Sequence, residues 1–191
     1  MSSRTSSASK THTIALCGLS IALLTVSAWV TIPLGPVPFT LQTFMLVFIV
    51  LTLNARQSII TVFGYLLLGA LGAPVFAGFK GGLGALMGPT GGFLLGFGIG
   101  TILALLALKA FSKTAYKNRY LPLIVAATIV VGISYLCGWI QLMVVADLSP
   151  AAAFVTGIAP FILLDAIKSA CAIKLSHVLL NAVPALKKQH V

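Results

Sequence analysis

Long apolar runs separated by short polar segments dominate the chain, with neither the strict alternation of a half-buried strand nor the one-sided periodicity of a surface helix. A helix needs about 20 predominantly apolar residues to cross a bilayer. The pattern therefore predicts an all-α integral membrane protein with six transmembrane helices. The six apolar runs cover residues 14–32, 38–53, 57–72, 91–111, 120–145 and 152–180.

Basic residues mark alternate segments between these runs. Lysine and arginine are enriched on the cytoplasmic side of membrane proteins, so the alternation predicts a multi-pass protein of the cell membrane with both termini cytoplasmic. The predicted organisation is a cytoplasmic tail at 1–12, one transmembrane domain at 13–182 and a second cytoplasmic tail at 183–191. The predicted cytoplasmic charges are Arg4, Lys10, Arg56, Lys109, Lys113, Lys117, Arg119, Lys187 and Lys188, and the opposite side carries Lys80 and Asp147.

The N-terminus permits two other interpretations. The segment "MSSRTSSASKTH" precedes an apolar run with small residues at 26–28, as a cleaved signal peptide would. Its serine-rich, acid-free start is also typical of organellar transit sequences. Cleavage would leave five spans, and Arg4 and Lys10 would then no longer orient a helix in the membrane. We therefore favour a first helix that is retained.

Composition supports the membrane prediction, because 59% of the 191 residues are hydrophobic and only 7% are charged. A soluble domain of this length carries far more surface charge. The net charge of +10 falls in short clusters between apolar runs. Since these clusters form no basic face interleaved with aromatic residues, we expect the lipid bilayer as the surroundings and no nucleic-acid partner.

Cysteine and histidine give no sign of a metal or cofactor. The three cysteines, Cys17, Cys137 and Cys171, lie inside apolar runs and are interpreted as packing residues. The three histidines are scattered, without the clustered spacing of a metal site.

The connection between the third and fourth apolar runs is unusual for a membrane protein. The stretch "GAPVFAGFKGGLGALMGPTGG", residues 72–92, contains too much Gly and Pro for a helix and is too apolar for an ordinary surface loop. Non-helical backbone of this hydrophobicity is tolerated where it is buried in protein or lines a cavity. We interpret it as the lid or wall of a ligand site on the extracellular side, in preference to an apolar turn that merely packs on the helices.

Small residues form two stripes. Gly92, Gly96, Gly100 and Ala104 recur every four residues, which allows another helix to approach closely, most simply within the same molecule. Gly18 and Ala22 repeat the motif more weakly, and docking of a partner subunit is the alternative there. A further pair at helical spacing, Tyr135 and Trp139, shares one face, for which anchoring or packing is favoured over ligand stacking.

The segment "FILLDAIKSACAI" places Asp165 and Lys168 on one face of the last predicted helix. Counting from 152 at 1.5 Å per residue puts Asp165 about 20 Å along it, near the middle of the membrane. Each charge alone would cost roughly 2.5 to 3.5 kcal/mol there. A self-neutralising structural pair is one explanation. Because apolar residues would serve packing equally well, we favour a pair that faces a water-accessible pocket and binds a polar solute.

Other function classes fit the sequence poorly. "GIS" at 132–134 does not complete a nucleophile elbow, and Asp147 lies too far toward the outside to share a proton with Asp165. An enzyme is therefore not expected. A channel would show rings of polar residues, and a proton-coupled carrier would show more ionisable groups. One asymmetric pocket favours a small-solute binder.

Three motifs resemble the BioY family, the biotin-specific membrane subunits (S components) of energy-coupling factor (ECF) transporters. They are "PLGPVPFTLQTF", "GAPVFAGFKGGLGALMGPTGGFLLGF" and "DAIKSA", and the resemblance extends over approximately residues 12–180. It implies a six-helix fold with an extracellular-side biotin pocket covered by loops. The chain departs from the family in having Leu163 and Leu164 where Pro-Gly often precedes the aspartate, and Lys80 where some members have Asn.

The resemblance implies a binding role for three charged residues. Asp165 would accept hydrogen bonds from the ureido N–H groups of biotin and Lys168 would donate to its carbonyl. Lys80 would pair with the valerate carboxylate or be a loop charge at the water surface. Thr90 and the backbone of Gly91 and Gly92 would line the wall of the pocket.

The resemblance also implies partners. Vitamin uptake by the family is powered by a separate transmembrane coupling subunit and two cytoplasmic ATP-binding subunits. The S component docks through small residues of its first helix, a position that Gly18 and Ala22 occupy here. Two alternatives stay open: an S component for another small vitamin, or a stand-alone biotin facilitator.

Overall fold

Helices make up most of the chain. The computed structural model describes residues 2–112 and 120–183, with side chains from Lys10 onward. The predicted C-terminal tail beyond 183 and the charges Lys113, Lys117, Arg119, Lys187 and Lys188 lie outside the described residues. The helices are α1 (Ser2–Trp29), α2 (Gln42–Thr52), α3 (Ala55–Ala70), α4 (Leu83–Met87), α5 (Gly91–Ser112), α6 (Leu121–Ala146), α7 (Pro150–Gly157) and α8 (Ala159–Ala182).

Among the residues that the structure describes, three helices are long and apolar enough to cross a membrane: α5, α6 and the part of α1 from Lys10 to Trp29. A fourth span is formed if α7 and α8, which meet at a bend of 42°, are counted together. The predicted spans 38–53 and 57–72 fall on α2 and α3, which are apolar but shorter, at 11 and 16 residues. Helix α1 begins at Ser2, within the segment 1–12 that is predicted as a cytoplasmic tail.

A break at Ile158 divides the predicted sixth span, so one continuous helix over 152–180 was wrong. Pro160 lies in the first turn of α8. A proline has no backbone N–H and its ring collides with the carbonyl four residues earlier, so α7 cannot continue through Pro160. The helix that carries Asp165 therefore starts at Ala159, and Asp165 lies only about 9 Å along it.

A short hairpin connects α1 to α2. Its two strands, β1 (Thr31–Ile32) and β2 (Phe39–Thr40), are antiparallel, with Thr31 opposite Thr40. The predicted second span thus begins with a strand, and its helix starts only at Gln42. This hairpin brings the backbone of Thr40 to the face of α8 that carries Lys168.

Helices α5 and α6 pack most closely of all, along the predicted small-residue stripe. A Cβ atom on Gly96 would lie 2.6 Å from the Cα of Ser134, and one on Gly100 would lie 3.0 Å from the carbonyl oxygen of Val130. Ala104, the last residue of the stripe, is fully buried. The stripe therefore serves packing within the molecule.

Gly96→Val should destabilise this contact. The added side chain would force apart two backbones, and overpacking of this kind typically costs about 1–3 kcal/mol. We expect a fall of several degrees in the temperature at which the detergent-solubilised protein unfolds. Gly132→Val is the matched control, because a Cβ atom at Gly132 on α6 meets no atom within 4 Å. Equal melting temperatures for the two variants would contradict the close approach.

The segment that joins α3 to α5, residues 71–90, is called the connecting segment below. It contains a 3-10 turn, Ala77–Phe79, and the short helix α4. Near its start, the Trp29 indole donates to the Pro74 carbonyl at 2.8 Å and the Tyr65 hydroxyl donates to the Val75 carbonyl at 2.9 Å. Side chains of α1 and α3 thus hold this irregular backbone, as expected of buried chain outside regular secondary structure.

Candidate functional site

A cavity lies among the helices, the hairpin and the connecting segment. It contains about 840 Å³ of empty space, part of which is open to solvent. Its wall combines aromatic side chains with a few polar groups, and the aromatic residues are Phe76, Phe93, Phe97, Tyr135 and Phe161.

Asp165 and Lys168 form an ion pair in the cavity wall. The Lys168 Nζ lies 2.6 Å from Asp165 Oδ1, and the two residues are only 9% and 5% exposed. The separation of three residues on α8 places both side chains on the same face, as the sequence predicts. The structure therefore brings the two predicted charges together at the cavity.

Lys168 also connects α8 to the hairpin. Its ammonium donates to the Thr40 carbonyl at 2.7 Å and lies 4.0 Å from the centre of the Phe39 ring. A cation over an aromatic face is attracted by the negative π-surface. These contacts hold the ammonium at one place in the wall and fix its direction.

Tyr135 completes the polar cluster from α6. Its hydroxyl donates to Asp165 Oδ2 at 2.6 Å, and its ring meets Phe93 edge-on. The helical spacing of Tyr135 predicts anchoring or packing, and this is incomplete because the residue lines the cavity. Only the packing of α6 against α8 reveals the contact with Asp165. Trp139 instead packs on Phe154 and donates to the Pro150 carbonyl.

The polar cluster keeps unused hydrogen-bonding capacity. A carboxylate has about four lone-pair sites, and the bonds to Lys168 and Tyr135 occupy one on each oxygen. An ammonium has three donors, of which Asp165 and the Thr40 carbonyl use two. About two acceptor sites on Asp165 and one donor on Lys168 are left for a ligand.

Gln42 is a second polar wall residue that the sequence argument did not single out. Its amide donates to the Tyr65 hydroxyl at 2.9 Å, which in turn donates to the Val75 carbonyl. The "FTLQTF" motif that contains Gln42 was recognised, but its spacing alone does not show which side chain faces inward. This relay links the cavity wall to the start of the connecting segment.

The other predicted binding residues divide into two groups. Lys80 and Thr90 line the cavity, and Lys80 is exposed at its mouth. Gly91 and Gly92 do not belong to the wall formed by the described residues. Both are buried against α6, where a Cβ atom on Gly92 would lie 2.7 Å from the Cβ of Gln141. Their predicted place in the wall is therefore corrected to a packing position.

Gly18 and Ala22 lie away from the cavity, on an exposed face of α1. A Cβ atom on Gly18 meets no atom within 4 Å, so this stripe does not serve packing among the described side chains. Neighbouring apolar residues of the same helix, Leu19 and Val26, are 58% and 51% exposed. The cavity and this face are thus two separate surfaces. The described part of the chain contains no cluster of three potential metal ligands.

The apolar helices and the polar cluster inside them define an α-helical membrane protein with an internal, partly charged pocket. The chain belongs to the BioY family, whose family model matches residues 1–185. This confirms the resemblance inferred from the sequence motifs.

Individual relatives agree with this membership. The chain is 37% identical over 164 residues to the probable biotin transporter BioY of Pyrococcus horikoshii, covering 86% of this chain and 93% of the relative. It is 41% identical over 153 residues to the biotin transporter BioY of Thermotoga maritima, covering 79% and 85%. Its fold matches the crystal structure of the S-component for biotin from an ECF-type ABC transporter, with a TM-score of 0.82 and 23% identity over 95% of each chain.

Proposed function

We propose that this protein binds biotin in the cavity and is the substrate-binding subunit of an ECF-type uptake system, with no enzymatic activity and no cofactor of its own. The observation that carries the proposal is the buried Asp165–Lys168 pair in the cavity wall. A buried pair adds little stability compared with apolar residues of similar volume. A role in recognising a polar ligand explains why the wall contains it.

The unused hydrogen-bonding groups of the pair complement the ureido ring of biotin. This ring offers two N–H donors and one carbonyl acceptor, and the pair offers about two acceptor sites and one donor. Asp165 accepts from the ureido N–H groups and Lys168 donates to the carbonyl. In a site with little water, each group left unpaired would be costly, which favours a ligand that satisfies all of them.

The aromatic part of the wall suits the rest of the ligand. Biotin carries an apolar thiophane ring and an apolar chain, and Phe93, Phe97 and Phe161 provide apolar surface in the same cavity. Pockets that combine a mostly apolar lining with a few fixed polar groups are typical of small-molecule sites. Thr90, the last residue of the connecting segment, adds a hydroxyl to the wall.

Lys80 is proposed to pair with the valerate carboxylate at the mouth of the cavity. Lys80→Ala should weaken biotin binding by about tenfold, since a hydrogen bond to a charged group contributes about 1.5–3 kcal/mol and part of this is lost to solvent at an exposed site. The same change should leave the affinity for biotin methyl ester nearly unaltered. Equal losses for both ligands would mean that Lys80 is only a loop charge at the water surface.

The proposed topology has six crossings of the cell membrane with both termini in the cytoplasm. The two shorter helices, α2 and α3, complete the crossings, the domain occupies 13–182, and the connecting segment covers the pocket from outside. Support comes from the basic residues between the apolar runs and from the segment's residues in the cavity wall, including Phe76, Ala77 and Ala85.

Transport is proposed to need a separate transmembrane coupling subunit and cytoplasmic ATP-binding subunits, which dock on the α1 face around Gly18 and Ala22. Uptake of labelled biotin by cells that express this chain, with and without such a module, tests the point. Uptake only with the module supports the ECF assignment. Equal uptake without the module would favour the alternative of a stand-alone facilitator. Uptake of another vitamin in place of biotin would favour the alternative of an S component for that vitamin.

A further inference from the structure

Gln141 is the only side-chain amide on the largely apolar helix α6. Its Nε2 donates to two backbone carbonyls of the connecting segment, those of Leu86 and Gly88, both at 2.8 Å. The two carbonyls lie at the end of α4, and Thr90 follows two residues after Gly88 in the cavity wall. Gln141 itself does not line the cavity, so it reaches the site only through this backbone.

Gly91 and Gly92, the last two residues of the segment "GPTGG", leave space for the Gln141 side chain. A Cβ atom on Gly91 would lie 2.6 Å from Gln141 Nε2 and would overlap the Leu86 carbonyl, and one on Gly92 would lie 2.7 Å from Gln141 Cβ. Contacts below 3.0 Å at such positions require the neighbouring atoms to move. Because these two glycines have no side chains, they leave a space for the amide between α5, α6 and the end of α4. This space is called the socket below.

The contact meets a physical need of the connecting segment. The last carbonyls of a helix have no partner within it, and in a helix of five residues this applies to most of them. Backbone groups at membrane depth require partners, because water is scarce there. An amide that gives both its donors to this backbone fixes the end of α4 against α6.

We propose that Gln141 is a positioning residue that holds α4 and Thr90 in the cavity wall and so slows the escape of the ligand. Trp29 and Tyr65 hold the start of the connecting segment, and Gln141 holds its end. The identity of the ligand rests on the proposed function, whereas the attachment of α4 to α6 does not.

Gln141→Leu tests the proposal, because leucine has a similar volume and no donors. The rate of biotin dissociation from the purified protein should rise by at least about tenfold, equivalent to about 1.4 kcal/mol. The association rate should change much less, as is usual when a retained contact is lost. In the ligand-free protein, hydrogen exchange of the backbone amides of residues 82–90 should accelerate, with no change along the rest of α5 and α6.

Gly91→Ala provides a second variant and Gly84→Ala its matched control. The first should reproduce the effects of Gln141→Leu by filling the socket. The second should accelerate neither biotin dissociation nor exchange at 82–90, because a Cβ atom at Gly84 meets no atom within 4 Å. Unchanged exchange at 82–90 in both test variants would overturn the proposal. So would faster exchange throughout α5 and α6, which would assign Gln141 to general packing.

The proposed biotin binding and the positioning role of Gln141 can be refuted independently of each other. If the wild-type protein binds no biotin, the proposed function is wrong, and exchange in the ligand-free variants still decides whether Gln141 holds the segment. If the wild-type protein binds biotin and Gln141→Leu changes its dissociation rate by less than about twofold, the positioning role is wrong and the binding function stands.

Discussion

Replacing Asp165 with Asn is expected to weaken biotin binding by about a hundredfold, because the ureido N–H groups lose a charged acceptor and a hydrogen bond to a charged group contributes about 1.5–3 kcal/mol. The carboxylate accepts from Lys168 on one oxygen and from Tyr135 on the other. An Asn side chain must point its NH₂ group at one of these two donors. The ammonium of Lys168 also loses its counter-charge, and the ligand loses a charged acceptor. Equilibrium binding to the purified variant measures the effect.

Asp147→Asn is the matched control for Asp165→Asn. Asp147 is the only other acidic residue in the chain, so both variants change the net charge by the same amount. It is exposed at the end of α6 in a left-handed backbone conformation, which asparagine adopts readily. The control should bind biotin like the wild type. An affinity of Asp165→Asn within a factor of two of the wild type would contradict the assigned role.

Gly18→Trp is expected to abolish most biotin uptake, by about tenfold or more, while leaving biotin binding intact. The α1 face around Gly18 is exposed, and an added Cβ atom there meets no atom of the described residues within 4 Å. A bulky indole on a small-residue face prevents the close approach of a partner helix. Uptake is measured in cells that supply the coupling and ATP-binding subunits, and binding is measured on the purified variant.

Gly132→Trp is the control for Gly18→Trp. Gly132 is exposed on α6, and an added Cβ atom there also has open space around it. This variant should transport biotin normally, because its face is not proposed to dock a partner. Loss of biotin binding in Gly18→Trp would mean that the stripe on α1 supports the fold of the subunit instead. Loss of uptake in both variants would leave no special role for α1.

The parts of the site that depend on local spacing could be predicted from the sequence. Asp165 and Lys168 are three residues apart, so any helix over this run places them together, and their charge marks them in an apolar run. The close packing of α5 is also readable, because small residues recur every four positions. Both predictions need only the period of one helix.

Contacts between distant segments could not be read from the sequence. Tyr135 lies 30 residues from its partner Asp165, and Gln141 lies 53 residues from Gly88. Their roles depend on how α6 packs against α8 and α4. Gly91 and Gly92 were predicted to line the cavity wall, but here they leave space for a side chain from α6. Pro160 was the residue that could have predicted the break at Ile158. Hydropathy alone does not reveal this break.

Equilibrium binding of labelled biotin to the purified wild-type protein, in competition with a panel of unlabelled vitamins, tests the central claim most directly. The Asp165–Lys168 pair, with about two free acceptor sites and one free donor, predicts tight binding that biotin displaces and the other vitamins do not. Well-folded protein that binds no biotin, or that releases it more readily to another vitamin, would contradict the account.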